Sequence, residues 1–284
     1  MLHRPSGRNA AWALLSCLAA FLAGMAQAQP GPARVASLNL CTDQLLLTLA
    51  DRGQILSLSR LARDRSMSFL ADQAAGLPQN DGDAETALID RPDLVLAGTY
   101  GQREQVALLR RQGIEVLLLG PWTGLEDGRS QIRTLARRLG HPDRGEALIA
   151  RIDAALERAR GIAAGGPSIL VYERGGWVTA PRSPVGEILA HMGFRLHQES
   201  LGLAQGGVVR LESIVTAPPD FLLVDAASSR AVDNGTALFS HPALAEAVPP
   251  DRRLALPASL TICGGPSTPA AIDALRAGVQ ARIR

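Results

Sequence analysis

Two glutamates occupy matching positions in segments that repeat half a chain apart. Residues 85–96 read E-T-A-L-I-D-R-P-D-L-V-L, and residues 212–223 read E-S-I-V-T-A-P-P-D-F-L-L. In each segment the glutamate opens a short helical stretch ahead of a Pro-Asp pair, and that pair leads into an apolar run of strand length. Two carboxylates held on rigid elements at a fixed separation can bind a two-fold-related pair of arginine sites. A glutamate near a helix N-terminus is also stabilised by the helix dipole, so Glu85 and Glu212 have a local explanation as well.

A second group of polar and aromatic side chains lies where predicted strands end. Trp and Tyr rings can stack on a flat ligand, and arginine can bind a carboxylate or phosphate group. Aromatic side chains also serve ordinary packing, and many arginines are simply solvated surface charges. The candidate ligand-binding residues are Asn39, Cys41, Arg60, Tyr100, Trp122, Tyr172, Trp177 and Arg182.

Two cysteines, Cys41 and Cys263, lie outside the first 28 residues. Sequence spacing cannot show whether two α-carbons come within bridging distance. A disulfide between them and a pair of separate thiols therefore both remain open.

Residues 1–28 have the form of a secretory signal peptide. A positive start is followed by an apolar run and by Ala26-Gln27-Ala28, a small-x-small cleavage site. The sequence therefore predicts export to the periplasm, a compartment that permits disulfides. The chain has 29 basic residues, of which Arg4 and Arg8 fall in this segment, and 27 acidic residues. The remaining net charge near zero gives no reason to expect nucleic acid or a membrane surface as a partner.

Strands and helices alternate with short connections, which predicts mostly parallel sheets with helices on both faces. We expect an N-terminal α/β lobe over residues 29–141, a connecting helix over 142–164 and a C-terminal α/β lobe over 165–284. Asn39 is positioned to cap the first helix, Ser267 is positioned to cap the last one, and residues 67–75 are predicted to be helical. In open α/β sheets ligands bind at the carboxyl ends of the strands, where most of the candidate residues lie.

The order and spacing of these features resemble a known family. The matching features are R-V-A-S-L at 34–38 before a helix, D-A-E and R-P-D-L-V-L-A within 83–97, residues 113–116, the long helix, and Glu212 ahead of its Pro-Asp pair. Together they are similar to the periplasmic substrate-binding proteins of ABC importers for cobalamin and ferric siderophores. The resemblance implies two Rossmann-like α/β lobes joined by a single long helix, with the ligand cleft between the lobes.

The resemblance also implies roles for individual residues. Glu85 and Glu212 fall where such proteins carry glutamates that dock on arginine pockets of the permease dimer. The transported ligand would be a cobalt corrinoid or an iron chelate, no resident cofactor or metal is expected, and the protein is expected to be a monomer. The segments at 37–41 and 262–265 depart from better-known relatives, so the identity of the chelate stays open.

Two alternatives remain. A relative of the same fold could bind a bare metal ion, but such a site needs several converging ligands, and the histidines outside the leader are only His141, His191, His197 and His241. An exported enzyme is the other alternative. The chain has no G-x-S-x-G, H-E-x-x-H or P-loop motif and no G-x-G-x-x-G that opens a helix. The sequence therefore favours a binding protein over a catalyst.

Overall fold

Two parallel β-sheets with flanking helices divide the protein into two lobes. The computed structural model describes residues 31–227, 233 and 235–282, and the predicted signal peptide lies outside them. The N-terminal lobe has a five-stranded sheet of order β3-β2-β1-β4-β5. Its strands, all parallel, are β1 (Val35–Ser37), β2 (Ile55–Ser59), β3 (Gln79–Asn80), β4 (Leu94–Gly98) and β5 (Glu115–Leu119).

The C-terminal lobe repeats this arrangement on a smaller scale. Its sheet has the order β11-β10-β6-β8 and is again parallel. The strands are β6 (Ser168–Val171), β8 (Arg195–Leu196), β10 (Phe221–Asp225) and β11 (Arg253–Leu256). A separate antiparallel ribbon pairs β7 (Trp177–Val178) with β9 (Gly207–Val208).

Eleven α-helices cover the two sheets within the described residues. In the N-terminal lobe they are α1 (Leu40–Leu49), α2 (Ala84–Ile89), α3 (Arg103–Arg111) and α4 (Leu125–Leu139). The long helix α5 (Pro142–Ala159) leads to the C-terminal lobe. There the helices are α6 (Pro184–His191), α7 (His197–Ser200), α8 (Leu211–Thr216), α9 (Pro242–Ala247), α10 (Ala258–Thr261) and α11 (Thr268–Gln280).

The repeated segments occupy equivalent places in the two lobes. In the first, Asp93 accepts hydrogen bonds from the backbone N–H groups of Ala33 and Arg34, both at 3.0 Å, where β1 begins. In the second, Asp220 accepts from the backbone N–H of Ser168 at 2.7 Å and from its hydroxyl at 2.8 Å, where β6 begins. The aspartate of each Pro-Asp pair thus ties one strand of its sheet to the next, and the repetition read from the sequence is a repetition of structure.

One apolar core runs through both lobes. Helix α5 buries Leu148, Ile152 and Ala155 against its neighbours, and it packs on α4 from one lobe and α11 from the other. Because α5 belongs to the same buried cluster as residues of both sheets, the lobes share a core rather than meeting at a polar linker. This confirms the predicted class of two α/β lobes with a helix between them.

Two local predictions were wrong. Residues 67–75 form consecutive turns rather than a helix. The side chain of Asp64 accepts from Ser66 N, and its carbonyl accepts from Ser68 N, so local polar bonds replace the helical pattern. Ser267 does not cap α11, because its hydroxyl donates to the Cys263 carbonyl. Of the described helices, none is both long and apolar enough to cross a bilayer.

Candidate functional site

A cavity of about 1090 Å³ lies between the carboxyl ends of the two sheets. Both lobes contribute to its wall, and most of the wall is apolar. The apolar and aromatic lining residues include Leu45, Leu119, Pro121, Trp122, Val171, Tyr172, Val185, Ile188, Leu223, Leu256, Leu260 and Leu275. This position is the one expected for a ligand site in open α/β sheets.

Backbone geometry fixes the N-terminal rim of the cavity. Asn39 caps α1, as predicted, by accepting from the N–H groups of Cys41 and Thr42 at 3.0 and 3.1 Å. A Cβ atom at Gly98 would lie 3.1 Å from Asn39 Nδ2, so the glycine that ends β4 lets the capping side chain approach. The next loop places Tyr100 on the wall with its side chain 78% exposed. This phenol is accessible to whatever occupies the cavity.

The C-terminal wall carries a buried phenol. Tyr172 follows β6 directly, is fully buried, and packs edge-to-face on Phe239 with ring centroids 5.3 Å apart. Its hydroxyl has no hydrogen-bond partner among the residues that the structure describes, and burial raises the pKa of the phenol. The ring therefore serves as a neutral apolar surface at this wall.

Three charged residues belong to the described part of the wall: Glu173, Arg174 and Asp225. Arg174 forms an ion pair with Asp233, and the hydrogen bond from Arg174 lowers the pKa of Asp233 to about 2. Glu173 accepts from the Thr179 hydroxyl at 2.7 Å. The one cation of the described wall is thus already neutralised, while two carboxylates remain.

The structure brings five of the eight sequence candidates together on the cavity wall: Asn39, Cys41, Tyr100, Trp122 and Tyr172. Cys41 is joined to Cys263 by a disulfide with a Cα–Cα distance of 5.2 Å, and both cysteines line the cavity.

The other three candidates lie away from the wall. Arg60 begins a 3₁₀ turn after β2 and faces Asp81 at 3.5 Å, with both side chains exposed. Trp177 belongs to the β7–β9 ribbon opposite Val208 and is 48% exposed. Arg182 is exposed in the loop before α6. Arg60 does follow a strand end, but its 3₁₀ turn brings the side chain to Asp81 rather than to the cavity.

Sequence reasoning missed several wall residues. Asp225 is the last residue of β10, so the strand-end rule could have identified it. Gln131 lies in the middle of α4, where no strand end points to it, and its buried Oε1 accepts no hydrogen bond within the described part of the chain. Its Nε2 donates to Asp127 at 3.1 Å.

Glu85 and Glu212 lie in the first turns of α2 and α8. Both are exposed, and within the described residues neither carboxylate takes part in an ion pair. Each has an exposed apolar residue on the same helix: Ile89 is 81% exposed and Val215 is 40% exposed. Each lobe therefore presents a short helix with an unneutralised carboxylate beside an apolar side chain.

A buried carboxyl group connects the start of α1 to the end of β2. Asp43, in α1, accepts from the Ser59 backbone N–H at 3.0 Å and from the Ser59 hydroxyl at 2.5 Å. Burial raises the pKa of Asp43 to about 7, against the opposing effect of these hydrogen bonds.

Among the described residues, no three His, Cys, Asp or Glu side chains converge as they would around a metal ion. The four histidines that the structure describes form hydrogen bonds away from any such cluster. His191 and His197 approach backbone carbonyls through Nε2, His141 contacts Gln54, and His241 accepts from a backbone N–H.

Comparison with known proteins identifies relatives of this architecture. The profile of the Periplasmic binding protein family matches residues 35–258. The periplasmic heme-binding protein RhuT from Roseiflexus sp. RS-1, in apo form, is 25% identical, with a TM-score of 0.72 over 89% of this chain and 100% of RhuT. A periplasmic heme-binding protein from Pseudomonas aeruginosa is 22% identical, with a TM-score of 0.66 over 87% of this chain and 92% of that protein.

A third solved structure extends the range of ligands. The siderophore-binding protein BauB, bound to a complex of two acinetobactin molecules and ferric iron, is 18% identical, with a TM-score of 0.68 over 88% of this chain and 93% of BauB. No curated protein sequence matches the chain. The family is one of periplasmic binding proteins, and these three neighbours are binding proteins for heme or for a siderophore.

Proposed function

The chain belongs to the periplasmic binding protein family, and we propose that it captures a bulky metal chelate between its lobes and delivers it to an ABC permease. Proteins of this family deliver their ligands to such permeases. The predicted leader at residues 1–28 supports a periplasmic location for this chain.

The interlobe cavity is the observation that carries the proposal. Ligand sites for small molecules usually measure about 300–1,000 Å³ and are mainly apolar with a few placed polar groups. A cavity of about 1090 Å³ lies just above that range, so it suits a large ligand rather than a bare ion.

The charges of the wall favour a chelate that is neutral or positive. Glu173 and Asp225 offer carboxylate acceptors, and Gln131 offers a carbonyl oxygen that no described residue bonds. The Arg174 guanidinium is paired with Asp233. Bringing an anionic ligand next to unneutralised carboxylates is unfavourable. A corrinoid, whose rim carries neutral amides that donate hydrogen bonds, fits this wall better than a ferric polycarboxylate or catecholate.

Heme is the second candidate ligand. RhuT, at 25% identity, is a heme-binding protein. The exposed phenol of Tyr100 on the wall is a group of the type that ligates heme iron. Against heme stands the shortage of cations for its two propionates on the described wall.

Docking on the permease is assigned to the two exposed helices α2 and α8. Glu85 and Glu212 would bind arginine sites on the two copies of the permease, with Ile89 and Val215 adding apolar contact beside them. Charge-assisted Arg–carboxylate bonds supply orientation as well as attraction. The binding protein would act as a monomer on a permease dimer.

A titration tests the ligand class. Purified residues 29–284 would be titrated with cyanocobalamin, hemin and ferrichrome while the fluorescence of Trp122 and Trp177 is followed. Saturable one-to-one quenching by cyanocobalamin, with much weaker response to hemin, is the expected result. Preference for hemin would select the second candidate, and no saturable response to any chelate would contradict the proposal.

A docking experiment uses right-side-out inner-membrane vesicles from the source bacterium. Replacing both glutamates, Glu85→Arg and Glu212→Arg, should abolish binding to the vesicles and leave chelate affinity unchanged. Equal loss of chelate affinity would show that these residues are not docking contacts.

A further inference from the structure

Three contacts cross from one lobe to the other beside the cavity. The first is covalent: Cys41, in the first turn of α1, is bonded to Cys263, which precedes α11 in the C-terminal lobe. The Cys263 segment is held in turn by the Ser267 hydroxyl, which donates to the Cys263 carbonyl at 2.9 Å.

The second contact is the indole of Trp122, which lies in a slot between two glycines. A Cβ atom added to Gly128 would lie 2.3 Å from Trp122 Cε3, and one added to Gly264 would lie 2.4 Å from Trp122 Cδ2. Both distances are far below van der Waals contact, so each wall of the slot requires a glycine. Gly128 belongs to the same lobe as Trp122, whereas Gly264 belongs to the other lobe and follows the bridged Cys263. The ring therefore joins the lobes next to the disulfide.

The third contact is a helix cap that one lobe supplies to a helix of the other. Glu187, in α6 of the C-terminal lobe, accepts from the backbone N–H of Leu125 at 2.7 Å, at the start of α4 in the N-terminal lobe. A Cβ atom at Gly124 would lie 2.5 Å from Glu187 Oε1, so a glycine again permits the approach. One of the four unpaired N–H groups at the start of this fifteen-residue helix is thus satisfied by a carboxylate from the opposite lobe.

We propose that Trp122, held between Gly128 and Gly264 beside the disulfide, is the positioning residue that fixes the separation of the lobes and so the width of the ligand cavity. Because Trp122, Cys41, Cys263 and Gly264 all line the cavity, the groups that set its width are also part of its wall. The width of the cavity is then set before any ligand binds. This inference rests on the proposed function for its ligand, but the lobe separation can be measured without any ligand.

The test uses Gly264→Ala, which obstructs the slot from the opposite lobe. The matched control is Gly53→Ala, since a Cβ atom at Gly53 meets nothing within 4 Å and its backbone is not left-handed. Both variants, made in residues 29–284, would be labelled with 5-fluorotryptophan so that Trp122 and Trp177 give separate ¹⁹F resonances. Hydrogen exchange at the Leu125 amide reports on the Glu187 cap.

In the ligand-free protein, Gly264→Ala should shift the Trp122 resonance and speed exchange at Leu125, while Trp177 and the Gly53→Ala control stay unchanged. In Gly264→Ala, the lobe separation that binds ligand should be populated in about one molecule in ten. Affinity for whichever of cyanocobalamin, hemin and ferrichrome binds the wild type should then fall about tenfold. Trp122→Ala should also weaken binding of that chelate. Trp122→Phe, which keeps a ring in the slot, should bind it more tightly than Trp122→Ala does.

Two results would overturn the inference. One is a shifted Trp122 resonance with affinity unchanged, because then the slot does not control the cavity. The other is normal exchange at Leu125 in Gly264→Ala, because then the contacts do not act together on the lobe separation. If the wild type binds none of the three chelates, the proposed ligand class fails, and the resonance and exchange data still decide whether Trp122 fixes the lobes.

Discussion

Removing the disulfide between the lobes should cost the protein a large part of its stability. Cys41 and Cys263 are 222 residues apart, so the bridge closes nearly the whole folded chain into one loop in the unfolded state. The chain-entropy relation for a loop of this length gives about 5 kcal/mol at 25 °C, at the top of the range found for single bridges. Cys41→Ala with Cys263→Ala should therefore lower the free energy of unfolding by about that amount.

Thermal unfolding followed by circular dichroism measures this loss. For a protein of this size each kcal/mol shifts Tm by about 2–4 °C, so the double variant should melt roughly 10–20 °C below the oxidised wild type. Wild type treated with a reductant serves as the control and should melt close to the variant. A difference under about 1 kcal/mol, or a reduced wild type that melts with the oxidised protein, would refute the loop-closure reasoning.

Three further predictions concern the core, the buried carboxyl group and the docking faces. Because burial raises the pKa of Asp43 from 3.8 to about 7, its contribution to stability is complete below pH 4 and is lost as the pH rises through 7. The free energy of unfolding in urea should therefore fall by about 4 kcal/mol more for the wild type than for Asp43→Asn between pH 4 and pH 8. Parallel pH profiles of the two proteins would contradict this. In the same assay Gly145→Ala should destabilise the protein by about 1–3 kcal/mol despite the better helix propensity of alanine, because the new Cβ atom would lie 2.6 Å from Ala136 Cβ on the facing helix. A gain in stability would show that α4 and α5 can separate freely. Ile89→Ala should weaken binding to inner-membrane vesicles at least tenfold through lost apolar contact. The control Leu61→Ala, which changes an exposed residue elsewhere on the same lobe, should leave this binding unchanged. Equal effects of the two substitutions would show that Ile89 is not part of the docking face.

The fold was accessible from the sequence because its signals are local and repeated. The two glutamate-to-Pro-Asp segments predict a helix followed by a strand in each lobe, and the structure contains α2 before β4 and α8 before β10. The capping role of Asn39 was also readable, because an N-cap depends on the next few residues only. The turns at residues 67–75 were not, because Asp64 and two serines divert the backbone through bonds that an apolar pattern does not encode.

The site was less accessible because much of it depends on how the lobes pack. The strand-end rule leads to Asn39 and Tyr100, whose loops follow strands directly. It cannot lead to Glu187 or Gln131, which lie within helices and reach the interlobe region only through tertiary packing. Nor could spacing decide between a bridge and two thiols at Cys41, since that choice depends on a Cα–Cα distance of 5.2 Å across the lobes.

Anomalous X-ray diffraction tests the central claim most directly. Crystals of residues 29–284 grown with cyanocobalamin, and separately with hemin, would be measured at the cobalt and iron absorption edges. For the chelate that binds in solution, one anomalous peak is predicted inside the interlobe cavity, on the side walled by Tyr100 and Trp122. A metal peak on the outer surface of either lobe, with the cavity free of chelate density, would contradict the account.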